Sequence, residues 1–192
     1  ERGKDGLIRY EAIKIMKQAI KDALFLSTTG YTTRDSFATK DTPDFYMVGS
    51  MGHIFSVGLG IAPHTKKRVV VLDGDGGMMM HLGGLASFSP ELHANMFYVI
   101  FDNQAYESTG NQPSMSPSID FSSLANAFHF PNFAQIKTKK ELQNFLRKLP
   151  QTKGAIFLHI KIQGSNTAPA KRVSDSYSCE QIKERFMESL KK

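Results

Sequence analysis

Two oxygen-bearing side chains, Asp75 and Asn103, are spaced so that they could act together. Asp75 lies in the run Gly74-Asp75-Gly76-Gly77, which follows an apolar stretch and precedes a helical pattern. Asn103 closes the next apolar stretch, with 26 residues between Gly76 and Asn103. That length suits one helix and one returning strand, so both side chains can reach a single point on one sheet edge. The glycines leave backbone N–H groups open beside a helix start, which makes a seat for an anion. Two oxygen ligands next to such a seat suggest Mg2+ shared with a diphosphate, because Mg2+ takes few protein oxygens and completes its shell with phosphate and water. Singly, each residue has a plainer reading, Asp75 as a helix cap and Asn103 as a turn residue. Their joint spacing favours the shared site.

The same strings exclude other chemistries. No Gly-Lys-Ser/Thr follows, so the glycine run is not a Walker loop. Met79 stands where a dinucleotide fingerprint needs its third glycine. Gly77 and Gly84 occupy positions where an EF-hand needs acids. Val48 replaces the first glycine of a nucleophile elbow around Ser50. His53 and His81 have no Cys or His at zinc spacing.

Apolar periodicity supplies the elements that would position these residues. Helical spacing marks 9–22, 53–62, 78–88, 121–128, 139–148 and 179–190. Strand-like runs mark 23–26, 44–48, 68–72, 96–101, 133–136 and 155–162, several of them apolar on both faces. The stretches 27–30 and 163–173 read as loops. Strands alternating with helices predict a doubly wound α/β domain, a parallel sheet of about six strands with helices on both faces. The carboxyl ends of the first four strands then carry STTG, GSMG, GDGG and DN, so glycine and small polar residues gather along one edge.

The 192 residues are 41% hydrophobic and 22% charged, which suits one domain with its own core and excludes a disordered tail. The chain reads as a single unit over 1–192, opened by a helix within 1–22 and closed by one within 178–192. No apolar run approaches the roughly 20 residues of a membrane span, and the start is charged, so neither leader nor membrane partner is expected. The first residue, Glu1, fits a segment of a longer chain. The single Cys179 excludes an internal disulfide and points to a reducing, cytoplasmic setting. The net charge of +6 is spread without interleaved aromatics. It reads as solvated surface compatible with an anionic ligand, and it offers no nucleic-acid motif.

The ordered set GSMG at 49–52, GDGG at 74–77 and DN at 102–103 resembles the cofactor motif of thiamine-diphosphate enzymes. Longer strings narrow the resemblance: STTGYTTR at 27–34, VGSMGH at 48–53, LDGDGGMMMHLGGL at 72–85 and ESTGNQP at 107–113. Together they resemble the C-terminal cofactor-binding domain of the phosphonopyruvate decarboxylases, over roughly residues 20–165. Sulfopyruvate decarboxylase β subunits share much of the pattern; residues 31–34 and ESTGNQP place the phosphonopyruvate enzymes first.

The resemblance implies roles residue by residue. Asp75 and Asn103 would bind Mg2+ through their side chains, and Ala105 through its carbonyl. Where the family has two asparagines this chain has Asp102-Asn103, and only the second position carries the metal role. Gly74, Gly76 and Gly77 would meet the diphosphate of thiamine diphosphate, with Thr28, Ser50 and Ser108 as further cofactor contacts. The Gly49 carbonyl would accept a hydrogen bond from the cofactor's 4′-amino group, and Met51 would wedge beneath the cofactor to keep it bent. Arg34, Thr28, Thr29 and Ser108 are candidates for an anionic substrate group. His53, His81 and Glu107 are candidates for catalytic roles. The implied reaction converts phosphonopyruvate to phosphonoacetaldehyde and CO2.

Enzymes of this kind use an activating Glu on a separate pyrimidine-binding domain. No Glu here, Glu91 and Glu107 included, sits in a recognisable copy of that domain. The resemblance therefore implies a partner domain or subunit that supplies the Glu, within a homo- or hetero-oligomer acting on a small anionic 2-oxo acid. A sulfonate substrate and a non-catalytic cofactor- or nucleotide-binding module remain open as alternatives.

Overall fold

A computed structural model describes residues 6–164 and 169–190. Its main sheet holds β1 (Ala23–Ser27), β2 (Phe45–Tyr46), β3 (Arg68–Gly74), β4 (Met96–Asp102), β7 (Asn132–Ile136) and β8 (Ile156–Lys161). A small antiparallel hairpin of β5 (Ala105–Tyr106) and β6 (Gln112–Pro113) stands apart. The helices are α1 (Arg9–Ala19), α2 (Tyr31–Thr39), α3 (Ile54–Ile61), α4 (Asp75–Met80), α5 (Phe121–Ala127), α6 (Lys139–Lys148) and α7 (Cys179–Leu190).

The six strands are all parallel, in the order β2-β1-β3-β4-β8-β7. Each central strand splits its apolar residues between two faces, as the period of two demands. On β3, Val69 and Val71 enter one core with Ile54, Phe55, Tyr98, Phe121 and Phe186. Val70 and Leu72 enter the other with Ile13, Met16, Phe97, Leu142 and Leu146. Helices α3, α5 and α7 thus cover one face, and α1 and α6 the other. The chain leaves β1 toward β2 on one side, whereas β3 leads to β4 on the other. The order reverses between β1 and β3, and a crevice opens there at the carboxyl ends of such strands.

The expected architecture is present, with local differences. Helix α6 runs over 139–148 and α7 over 179–190, as their periodicity predicts. Helix α2 has no counterpart in the sequence reading. Its Thr- and Ser-rich string (YTTRDSFAT) has weak helix propensity. Tertiary contacts hold it: the Thr33 hydroxyl lies 2.6 Å from the Thr28 carbonyl and 3.1 Å from that of Met47, tying the helix to the ends of β1 and β2. The expected helix over 78–88 is instead the short α4, followed by a 3-10 turn over Leu82–Ser87. Gly83 and Gly84 break it, since glycine is poor in helix interiors. The first helix stops at Ala19 rather than at 22, and the strand expected over 44–48 shrinks to Phe45–Tyr46. Part of the 163–173 loop, the first five residues and the last two lie outside the described residues.

Candidate active site

The turn after β3 is built around a buried carboxyl group. Asp73 accepts hydrogen bonds from the Gly74 N–H at 2.9 Å and the Tyr98 hydroxyl at 3.0 Å. Burial pushes its carboxyl up to about 6. A Cβ on Gly77 would lie 2.5 Å from Asp73 Oδ1, and one on Gly76 would overlap the Tyr106 ring. Both positions need glycine for close approach, at the buried start of α4.

Asp75 is the first residue of α4, and the N-cap position before it is Gly74, which has no side chain to cap with. It is 2% exposed, and its Oδ2 accepts the Ser114 hydroxyl at 2.5 Å. Burial pushes its carboxyl up, against the Ser114 hydrogen bond. No cationic side chain pairs with it among the described residues. A buried carboxylate without a counter-ion is costly unless it coordinates a cation.

Asn103 faces it from the end of β4. Its Oδ1 accepts the Ala105 N–H at 3.1 Å, so the local turn role is real. Its Nδ2 donates to Glu107 Oε2 at 3.3 Å. The same oxygen accepts Arg9 Nη2 at 2.9 Å, while Arg9 Nε donates to Asp35 at 2.8 Å. Glu107 is therefore engaged in the wall of the site. Neighbouring Asp102 is fully buried and accepts from His159 Nε2 at 2.7 Å, Lys161 Nζ at 2.5 Å and the Gln104 N–H at 3.1 Å. Gln135 Nε2 lies 2.9 Å from His159 Nδ1, on the ring edge away from Asp102.

One crevice gathers most of the expected residues. Its lining includes Thr28, Thr29, Met51, the glycine run 74–77 with Asp75, then Asn103, Ala105, Glu107 and Ser108. Gly30, at φ 89°, brings the β1 loop against Ser108: a Cβ there would sit 3.1 Å from the Ser108 hydroxyl. Other expected residues stand apart from this lining. Gly49 and Ser50 face a separate hollow with Tyr46, Cys179 and Ile182. His53 and His81 stack on one another at 4.6 Å between centroids, outside the crevice lining. Arg34 lies over the Tyr31 ring at 5.2 Å, also outside it. Sequence reasoning missed Arg9, Asp35, Asp73, Tyr106 and Ser114. Spacing offers no signal for them; Arg9 and Glu107, for example, are 98 positions apart.

The donor set fits Mg2+ with a diphosphate. A carboxylate, an amide oxygen and a backbone carbonyl are all hard oxygens, and glycine N–H groups stand beside them. Among the described residues no group of three or more His, Cys, Asp or Glu side chains forms an all-protein metal cage. A site that borrows phosphate oxygens requires none.

Fold and crevice together define a doubly wound α/β domain with a glycine-lined, oxygen-bearing crevice at the switch point of its sheet. The chain belongs to the thiamine pyrophosphate enzyme family, whose C-terminal TPP binding domain matches residues 27–160. It is 34% identical to the sulfopyruvate decarboxylase subunit beta of Methanothermobacter thermautotrophicus, over 96% of each chain. It is also 34% identical to a phosphonopyruvate decarboxylase of Streptomyces viridochromogenes, over 78% of this chain and 38% of that one. A sulfopyruvate decarboxylase of Methanosarcina acetivorans is 32% identical over 97% of this chain and 48% of its own length. The chain thus spans the length of the first relative and under half of the other two. The X-ray structure of an enzyme from Mycobacterium smegmatis, assigned as thiamin diphosphate-dependent, superposes with a TM-score of 0.69 at 19% identity. That match covers 83% of this chain and 32% of the other, and it supports the fold. No described helix is long and apolar enough to cross a membrane.

Proposed function

We propose that this chain is the thiamine-diphosphate- and Mg2+-binding half of a decarboxylase for small 2-oxo acids that carry a phosphonate or sulfonate group. One observation carries the reading: the buried Asp75 carboxylate, with no cationic partner among the described residues, shares a crevice with Asn103, Ala105 and the glycine run. Bound thiamine diphosphate supplies an electron sink that lets a 2-oxo acid lose CO2. The chain's own groups bind and orient. Asp75, Asn103 and the Ala105 carbonyl hold the metal, and the backbone at 74–77 meets the diphosphate. Met51, in the crevice wall, supports the cofactor from below.

Phosphonopyruvate is the first substrate reading, supported by residues 31–34 and the ESTGNQP string, both of which contribute to the crevice wall through Tyr31, Glu107 and Ser108. Sulfopyruvate is the second, favoured by the end-to-end match to a β subunit. The same match supports a separate partner subunit, read here as the one that carries the pyrimidine-binding domain and its activating Glu, and the single Cys179 supports a reducing, cytoplasmic setting. Gly49, Ser50 and the stacked His53–His81 pair lie outside the crevice, where a partner's share of the site would meet them.

Calorimetric titration with thiamine diphosphate and Mg2+ tests the cofactor site. Asp75→Ala is expected to abolish Mg2+-dependent binding; equal affinity in wild type and variant would mean the metal site is misplaced. Parallel assays of phosphonopyruvate and sulfopyruvate, with the pyrimidine-binding partner present, decide the substrate.

A further inference from the structure

A metal-binding asparagine has a problem that an aspartate lacks. Its two terminal atoms are similar in size, yet only the oxygen binds a hard cation. Something must choose which end of the amide faces the metal. In this fold Glu107 stands at the nitrogen end of the amide, its Oε2 accepting from Asn103 Nδ2 at 3.3 Å. A carboxylate can only accept, so it takes the N–H end of the amide, and a flipped amide would set oxygen against oxygen. The Ala105 N–H, bound to Oδ1 at 3.1 Å, selects the same orientation from the other side and leaves a second lone pair on Oδ1.

Glu107 is itself fixed from a distant part of the chain. Arg9 reaches it from the first turn of α1, with Nη2 at 2.9 Å, and is anchored through Nε to Asp35 on α2 at 2.8 Å. Arg9 is 8% exposed and forms a cation–π contact with Tyr31. A guanidinium suits this task because its planar fork binds two carboxylates at defined angles, which an ammonium cannot do. The chain Asp35–Arg9–Glu107–Asn103 thus links α1 and α2 to the turn after β4.

We propose that Arg9 and Glu107 are positioning residues for the metal site: together they lock the Asn103 amide with its oxygen available to Mg2+. This rests on the cofactor reading above and assigns Glu107 an orienting role in place of the catalytic one expected from sequence. It also makes the N-terminal helix part of the site's support.

The test is the Mg2+ concentration needed for half-maximal thiamine diphosphate binding, measured by calorimetry on the chain assembled with its pyrimidine-binding partner. The variants are Glu107→Gln, Glu107→Ala and Arg9→Lys, with Asp75→Ala as reference and thermal unfolding recorded for each. Partners that orient a metal ligand typically change affinity by about 10–100-fold. The expected result is a Mg2+ requirement raised about tenfold or more in Glu107→Ala and Arg9→Lys, with cofactor affinity at saturating Mg2+ close to wild type. Glu107→Gln keeps an acceptor but can also offer an N–H, so an intermediate shift is expected. An unchanged Mg2+ requirement in Glu107→Ala, while Asp75→Ala abolishes binding, would overturn the positioning role and leave the cofactor site standing. Parallel loss of cofactor affinity and melting temperature, with no specific change in Mg2+ requirement, would overturn it too, because that is the mark of a purely structural ion pair. Absence of Mg2+-dependent binding in wild type would instead overturn the cofactor reading, and this inference with it.

Discussion

The carboxylate of Asp75 accepts the Ser114 hydroxyl at 2.5 Å, joining the start of α4 to a residue 39 positions later. Ser114 is held in turn by its own N–H, which donates to the Gln104 carbonyl at 2.9 Å. The hairpin after β4 is thereby tied to the buried acid proposed to hold the metal. Ser114→Ala removes the one side-chain donor found on that acid while leaving Asp75 in place. We expect about tenfold weaker Mg2+-dependent cofactor binding and a fold otherwise intact. Calorimetry beside circular dichroism checks this, and undiminished binding would show that Ser114 orients nothing.

Glycine substitutions should rank by what their Cβ meets. Gly77→Ala drives a methyl to 2.5 Å from Asp73 Oδ1, which accepts the Gly74 N–H in a buried carboxyl whose other oxygen accepts the Tyr98 hydroxyl. Overpacking of this kind costs roughly 1–3 kcal/mol. Gly49→Ala meets nothing within 4 Å and should leave the melting temperature unchanged. Thermal denaturation of the two variants gives the comparison, and equal melting temperatures would contradict it.

Asp102 predicts an acid-sensitive contribution to stability. Burial pushes its carboxyl up, but hydrogen bonds from His159 and Lys161 more than offset this and hold it well below the usual range. A depressed carboxyl stabilises the fold fully above its unfolded pKa of about 4, and the contribution is lost as pH falls through the folded value. The stability difference between wild type and Asp102→Asn should therefore be constant near neutrality and shrink below pH of about 4. Urea unfolding across that interval tests it. Asp102→Ala strands a buried histidine and a lysine and should cost about 3 kcal/mol at neutral pH.

Arg34 offers a kinetic test. Its guanidinium lies over Tyr31, beside the crevice but outside its lining. If it meets the phosphonate or sulfonate of the substrate, Arg34→Ala in the complete enzyme raises KM about tenfold, the worth of one hydrogen bond to a charged group. Unchanged steady-state parameters would remove Arg34 from the substrate site.

Much of this protein is legible in one dimension. The alternation of apolar strands with amphipathic helices leads to a parallel sheet, because only a sheet covered on both faces can bury strands such as Val69–Leu72 on both sides. The order GSMG, GDGG, DN then names the family. The Asp75–Asn103 pairing is readable as well, since one crossover of fixed length brings adjacent parallel strand ends together. Helix α2 was not readable, because its Thr-rich string is helical only where Thr33 meets the carbonyls of β1 and β2. The role of Glu107 was not readable either. The contact proposed to set it joins Arg9 on α1 to Glu107, 98 residues away, and no local pattern records such a pairing. The tertiary structure also separated what the motifs had grouped, leaving Gly49, Ser50, His53 and His81 outside the crevice lining. Sequence determined which groups could bind the cofactor, through strand ends set by local periodicity; the tertiary structure decided which of them share a crevice and which distant charges stand against them, because those contacts arise only once the layers pack.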